Sequence, residues 1–210
     1  MSLKLRIKTK LKGSVEGLAA GLLRLGVAPN AITIIGLLLS LSAAYIYYVA
    51  ASQPVWLYYA VALFSLSGLC DALDGTMARL SNKASSFGSY LDSVLDRYSD
   101  AVVIVGITLG AAGASLLGVD MVVWGFVAVI GSIIVSYSRA KAESLGTKLE
   151  GIGIAERAER AVILVVASLL LRPDIGVFII AIAANLTVVQ RGIHVYGKLK
   201  VKGGREAEAS

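Results

Sequence analysis

The chain has 210 residues, 57% of them apolar, and a formal net charge of +6. With a mean hydropathy of +0.77, this composition goes well beyond what the core of a soluble domain of this size requires, so its principal solvent is lipid. The lone cysteine, Cys70, excludes an internal disulfide framework and a cysteine-built metal site. That leaves oxygen ligands for any metal, while the basic residues flank apolar spans, which points to anionic headgroups or substrates and away from nucleic acid.

In chain order, KLRIKTKLK and then VEGLAAGLLRLG interleave Lys and Arg with Leu, Ile and Val, a pattern that predicts an amphipathic helix in the headgroup layer over residues 1–26. No small-residue cleavage site of the kind a signal peptide needs follows it. A bilayer core takes about 20 mostly apolar residues per helix. Six segments meet that requirement: 31–50, 55–80, 86–113, 118–142, 157–172 and 175–196. The first contains no charge, whereas the second and third are apolar at one end and carry clustered aspartates at the other. Basic residues recur at Arg79 and Lys83, from Arg139 to Arg160, and from Arg191 to Arg205, always on one side of a six-span arrangement; only Arg172 falls on the other. By the positive-inside rule that side is the cytoplasm. The expected fold is therefore all-α and integral to the cell membrane, with six transmembrane helices preceded by a cytoplasmic amphipathic juxtamembrane helix. Both termini and the acidic helix ends face the cytoplasm. The expected organisation is an interfacial helix over 1–26, a six-helix domain over 27–200 and a disordered tail over 201–210.

The aspartates are the feature that a plain membrane anchor does not explain. Asp71, Asp74, Gly75 and Ala78 lie at i, i+3, i+4 and i+7, while Gly88, Asp92 and Asp96 follow at intervals of four, so each set shares one helix face. A short polar turn around Ser81 to Ser85 folds the two helices into a hairpin and brings the four carboxylates together. Such a cluster at a membrane edge costs several kcal/mol unless it is neutralised. One or two hard divalent cations, Mg, Mn or Ca, serve that purpose and suit a site that grips phosphates. Gly75 and Gly88 let a ligand approach the backbone, or alternatively let the two helices pack closely. Arg79 offers a planar donor fork for a phosphate or a base edge. The rival class is an ion or solute transporter. Against it, the aspartates sit at the ends of their spans and no Gly/Pro-broken helix pair recurs in matching halves.

The pattern D-x-x-D-G-x-x-A-R, eight residues, then G-x-x-x-D-x-x-x-D, complete here from Asp71 to Asp96, resembles the signature of the CDP-alcohol phosphotransferases, six-helix membrane enzymes of lipid headgroup synthesis. That resemblance implies a pair of Mg2+ or Mn2+ ions held by Asp71, Asp74, Asp92 and Asp96, with Asp96 also the base that deprotonates the acceptor hydroxyl. It implies a CDP-lipid donor contacted by Ala28, Pro29, Asn30 and Ala31 and by Gly75, Ala78, Arg79, Ser85 and Gly88. A homodimer is implied as well.

Two later stretches, Ser136-Tyr137-Ser138-Arg139-Ala140-Lys141-Ala142-Glu143 and Ile154-Ala155-Glu156-Arg157-Ala158-Glu159-Arg160, followed by Gln190-Arg191, look like the phosphatidylinositol phosphate synthase branch of that family. By that likeness Ser136, Arg139, Arg157 and Arg191 cradle the phosphate of inositol phosphate, a dianion that needs several cations. Arg139 stands where that branch commonly has lysine, and Ala158 where it has proline. Arg160 reads more simply as a helix-end anchor at the headgroups. Glycerol 3-phosphate is the competing acceptor for the same basic pocket.

Overall fold

The computed structural model describes residues 3–50, 53–81, 85–149 and 151–208, with side chains described from Gly13 to Lys200. Among these are seven helices: α1 (Leu3–Arg24), α2 (Pro29–Val49), α3 (Pro54–Leu80), α4 (Ser86–Gly110), α5 (Met121–Ser144), α6 (Arg157–Leu169) and α7 (Pro173–Glu208). The helix starts follow from local chemistry. Proline opens α2 and α3, where a missing N–H costs nothing. Ser85 caps α4 by accepting from the Gly88 N–H at 2.9 Å, and Asp120 caps α5 by accepting from the Val122 N–H at 2.7 Å, each satisfying an orphan donor of the first turn.

The six expected spans coincide in number and place with α2 to α7. Four of these helices, α2, α3, α5 and α7, are long and apolar enough to cross a membrane. By length and composition α4 and α6 do not qualify: α4 carries Asp92, Asp96, Arg97 and Asp100, and α6 has only 13 residues and begins with Arg157, Glu159 and Arg160. The expected interfacial helix corresponds to α1, which packs its Ala19 against Ile32 of α2 and Leu73 and Met77 of α3. Two features differ from expectation. A two-residue hairpin, β1 (Ser115–Leu116) and β2 (Val119–Asp120), joins α4 to α5, turning at Leu117 and Gly118, both with positive φ. The stretch expected as a disordered tail instead continues α7 to Glu208, since a helix already nucleated extends readily through Ala, Glu, Lys and Arg; residues 209 and 210 lie outside the described residues.

Packing is that of a protein dissolved in lipid. Large apolar side chains such as Leu38, Phe126, Ile130 and Leu186 face outward, while hydroxyls turn inward. Ser40 and Ser67 share a 2.7 Å hydrogen bond between α2 and α3, and Tyr47 donates to Ser168 at 2.8 Å across to α6; such contacts join membrane helices where apolar burial alone does not. Helices α2, α3 and α4 form one packed group, α5, α6 and α7 another, and the groups meet through α3 with α6 and α4 with α5 and α7. A Cβ placed on Gly106 would lie 2.3 Å from the Ala44 carbonyl oxygen, so α4 touches the backbone of α2 directly.

Candidate functional site

The last turns of α3 and the first turns of α4 carry the acidic residues. Asp71, Asp74 and Asp92 each offer a carboxylate oxygen within 4.8 Å of the others. Asp74 is buried. Its Oδ2 and the Oδ1 of Asp92 are shut off from solvent with no hydrogen-bond partner. Carboxylates are seldom left so in a low-dielectric setting, because each unmet buried acceptor costs about 1–3 kcal/mol and more when charged. Three converging carboxylates on two helices, two of them with a buried, unpartnered oxygen, fit a hard divalent cation.

Asp96, one turn further along α4, does not join this trio. It is linked to it through Arg157, whose Nη1 lies 2.7 Å from Asp71 Oδ2 and 2.9 Å from Asp96 Oδ2. The four carboxylates expected to converge are thus three at one point and a fourth beside them, with a guanidinium between. That bridge also links the acidic hairpin to α6.

On the other side of the aspartates the start of α2 meets the start of α4. Ala28 is the N-cap of α2, and Pro29, Asn30 and Ala31 form its first turn. A Cβ on Gly88 would lie 3.1 Å from Ser85 Oγ and 3.3 Å from Asn30 Oδ1, which brings Asn30, Ser85 and Gly88 together. Gly75 is different: a Cβ there would meet nothing within 4 Å, so this glycine faces open space and not a packed helix. Ala78 is half-buried one turn below, and the exposed Arg79 donates to Thr76 Oγ1 at 3.0 Å. Of the turn expected between α3 and α4, residues 82–84 lie outside the described residues.

A cavity of about 730 Å³ opens beside the acidic residues, lined by Asp71, Asp96, Ser136, Arg139, Arg157 and Arg191. All four residues expected to hold the acceptor phosphate therefore line a single space. Their circumstances differ. Arg139 is largely exposed and pairs with Glu143 at 3.1 Å. Arg191 is buried, donating from Nε to the Ile152 carbonyl at 2.9 Å, from Nη1 to the Val135 carbonyl at 2.7 Å and from Nη2 to Glu156 at 2.7 Å. It ties the loop before α6 to α5 and α7 as well as bringing charge.

Among the residues that line the same cavity and that the sequence reading did not place in the site are Asp100, Glu156 and Arg160. Asp100 continues the four-residue spacing of Asp92 and Asp96, a signal present in the sequence. Arg160, expected as a headgroup anchor, is instead 3% exposed, donating to Asp100 Oδ2 at 2.6 Å and to the Ala155 carbonyl at 2.9 Å, with its Nε unpartnered. Its burial reflects the short loop before α6, which turns the first helical turn inward. Glu156 acquires its role from Arg191, 35 residues away, a contact that no local pattern encodes.

Comparison with known proteins agrees with this geometry. Residues 26–189 match the family described as CDP-alcohol phosphatidyltransferase. An archaetidylinositol phosphate synthase from Pyrococcus horikoshii is 42% identical over 188 residues, covering 89% of this chain and 93% of that protein. A crystal structure of Mycobacterium tuberculosis phosphatidylinositol phosphate synthase with CDP-DAG bound superposes with a TM-score of 0.74 at 29% identity, covering 87% of this chain and 93% of that one. The same enzyme in complex with manganese and citrate gives a TM-score of 0.73 at 30% identity, covering 87% and 88%.

Proposed function

The chain belongs to the CDP-alcohol phosphatidyltransferase family, and on that premise we propose that it transfers the phosphatidyl-type group of a CDP-lipid, with diacylglycerol or archaeol tails, to inositol phosphate and releases CMP. The observation that carries this reading is the single cavity lined by Asp71 and Asp96 together with Arg139, Arg157 and Arg191. A donor gripped at the aspartates and an anionic acceptor held by the arginines meet there. The names of the similar synthases support the same acceptor.

In this mechanism Asp71, Asp74 and Asp92, with Asp96 beside them, would hold divalent metal, Mg or Mn, as one or two ions. Metal bound there would supply positive charge to the pyrophosphate oxygens in the transition state. The protein's own groups do the rest. Ala28 to Ala31, Gly75, Ala78, Arg79, Ser85 and Gly88 receive the cytidine nucleotide, the open face of Gly75 admitting it against the α3 backbone. Ser136, Arg139, Arg157 and Arg191 hold the acceptor phosphate, which fixes the hydroxyl to be transferred near Asp96. The Asp96 carboxylate takes the hydroxyl proton as the acceptor oxygen bonds to the lipid-bearing phosphorus. The bond from that phosphorus to the bridging oxygen of the pyrophosphate breaks, and its electron pair leaves on that oxygen with CMP.

The same proposal includes the finer architecture. Helices α2 to α7 cross the cell membrane, α1 lies on its cytoplasmic surface, and the site and both termini face the cytoplasm. The regions are 1–26, 27–200 and a C-terminal segment from 201, and the enzyme works as a homodimer. The charge asymmetry supports this orientation, since Arg139, Arg157 and Arg191 gather at the end of the bundle that carries the site.

The deciding experiment is an acceptor panel on the purified protein with Mg or Mn, using CDP-diacylglycerol and CDP-archaeol as donors and inositol phosphate, free inositol, glycerol 3-phosphate and serine as acceptors. Product lipid and CMP are both scored. Inositol phosphate is expected to be preferred, and Asp96→Asn to lower kcat by about a hundredfold or more. A preference for glycerol 3-phosphate would refute the acceptor assignment, and undiminished CMP release by Asp96→Asn would refute the base.

A further inference from the structure

Asp100 belongs neither to the acidic trio nor to the acceptor set, yet it occupies the joint between them. It lies on α4 one turn beyond Asp96 and lines the cavity. Its side chain is 15% exposed. One oxygen, Oδ2, accepts from Arg160 Nη2 at 2.6 Å; the other, Oδ1, faces Arg157 Nε at 3.5 Å. Arg157 and Arg160 are neighbours on the first turn of α6, at a spacing that places side chains side by side. Two guanidinium groups there repel each other, and Arg160, with a side chain only 4% exposed, has little water to screen it. A carboxylate between them removes that repulsion, orients the Arg160 fork, and adds a contact at Arg157 Nε to those that Asp71 and Asp96 make at its Nη1.

We infer that Asp100 is a positioning residue for the acceptor half of the site: it fixes Arg157 and Arg160 so that a phosphate entering the cavity meets Arg157 in one orientation. This rests on the proposal that Arg157 binds the acceptor phosphate. A carboxylate in an anion pocket has an opposite alternative effect, since by charge alone it weakens phosphate binding and its removal strengthens it. The sign of the change therefore separates positioning from charge balance. Replacement by glutamate separates them again, because it keeps the charge and moves it by one methylene.

The test compares the full-length protein with Asp100→Asn, Asp100→Glu and Arg157→Gln, measuring KM for inositol phosphate, KM for CDP-diacylglycerol, kcat at saturating acceptor, and Mn2+ affinity by electron paramagnetic resonance. For Asp100→Asn we expect the acceptor KM to rise about tenfold, the size of one misaligned charge-assisted hydrogen bond. The donor KM, kcat and Mn2+ affinity should stay within about threefold. Asp100→Glu should raise the acceptor KM by a smaller factor in the same direction, and it decides the matter if the asparagine variant does not fold. An acceptor KM unchanged or lowered in these variants, while Arg157→Gln raises it, overturns the inference and leaves the phosphate proposal standing. If Arg157→Gln leaves the acceptor KM unchanged, the phosphate proposal fails and the role of Asp100 falls with it.

Discussion

Replacing Gly75 by alanine sets stability against function. In a helix interior alanine is favoured over glycine by about 0.5–1 kcal/mol, because glycine loses more backbone freedom on folding. Nothing lies within 4 Å of a Cβ at this position, so no contact opposes that gain. Gly75→Ala is therefore expected to melt at an equal or slightly higher temperature than the parent protein in detergent. The nucleotide proposed to lie against α3 here would meet the new methyl group. Overpacking by one methyl costs about 1–3 kcal/mol where neighbours cannot yield, which corresponds to a rise of roughly 5- to 150-fold in KM for the CDP-lipid. Acceptor KM, measured at saturating donor, should be unaffected. Thermal melting and steady-state CMP release on the same preparation provide both readings. An unchanged donor KM would remove Gly75 from the nucleotide site, and a lowered melting temperature would mean that Gly75 has a packing neighbour.

Gly106→Ala should do the reverse, because its Cβ would meet the Ala44 carbonyl oxygen at 2.3 Å; we expect a loss of about 1–3 kcal/mol, read as a lower melting temperature, and no loss would show that α2 and α4 separate freely. Asp74→Asn removes one of three converging carboxylates, so Mn2+ affinity should fall at least about tenfold, while the metal-free protein melts higher because a buried charge is gone; undiminished Mn2+ binding would place the ion elsewhere. Arg191→Gln would take the guanidinium from two buried carbonyls, Ile152 and Val135, and from Glu156, which keeps Arg139 at 4.0 Å, a loss of about 1–3 kcal/mol. Faster proteolysis of the loop between Leu145 and Glu156 should report it, and an unchanged cleavage rate would deny Arg191 its bracing role.

Much of the architecture is legible in the sequence because lipid imposes a simple rule. Each span must satisfy its own backbone and be apolar for about 20 residues, and the places of α2, α3, α5 and α7 follow from that. The acidic motif is legible for a similar reason: helical spacing alone puts Asp71 with Asp74 and Asp92 with Asp96. Spacing does not tell which carboxylates converge, and Asp96 parts from the others because Arg157, from a helix more than sixty positions later in the chain, stands between. The same limit hides Glu156 and Arg160, whose partners are set by how the loop before α6 folds onto α7. Thr187 fixes that loop by accepting from the Ile154 and Ala155 N–H groups at 3.1 Å each. The hairpin at Leu117 is hidden for another reason, since leucine is a poor indicator of a left-handed turn.

The division into two packed groups of helices follows the order of the chain. Everything proposed to handle the activated lipid lies between Ala28 and Asp96, and everything proposed to hold the acceptor phosphate lies between Ser136 and Arg191, with Asp96, Asp100 and Arg157 at the seam. The leaving-group chemistry is thus encoded apart from the choice of nucleophile. Substitutions in the second half can change which headgroup is made while the first half goes on expelling CMP, so a new lipid requires only half a new enzyme.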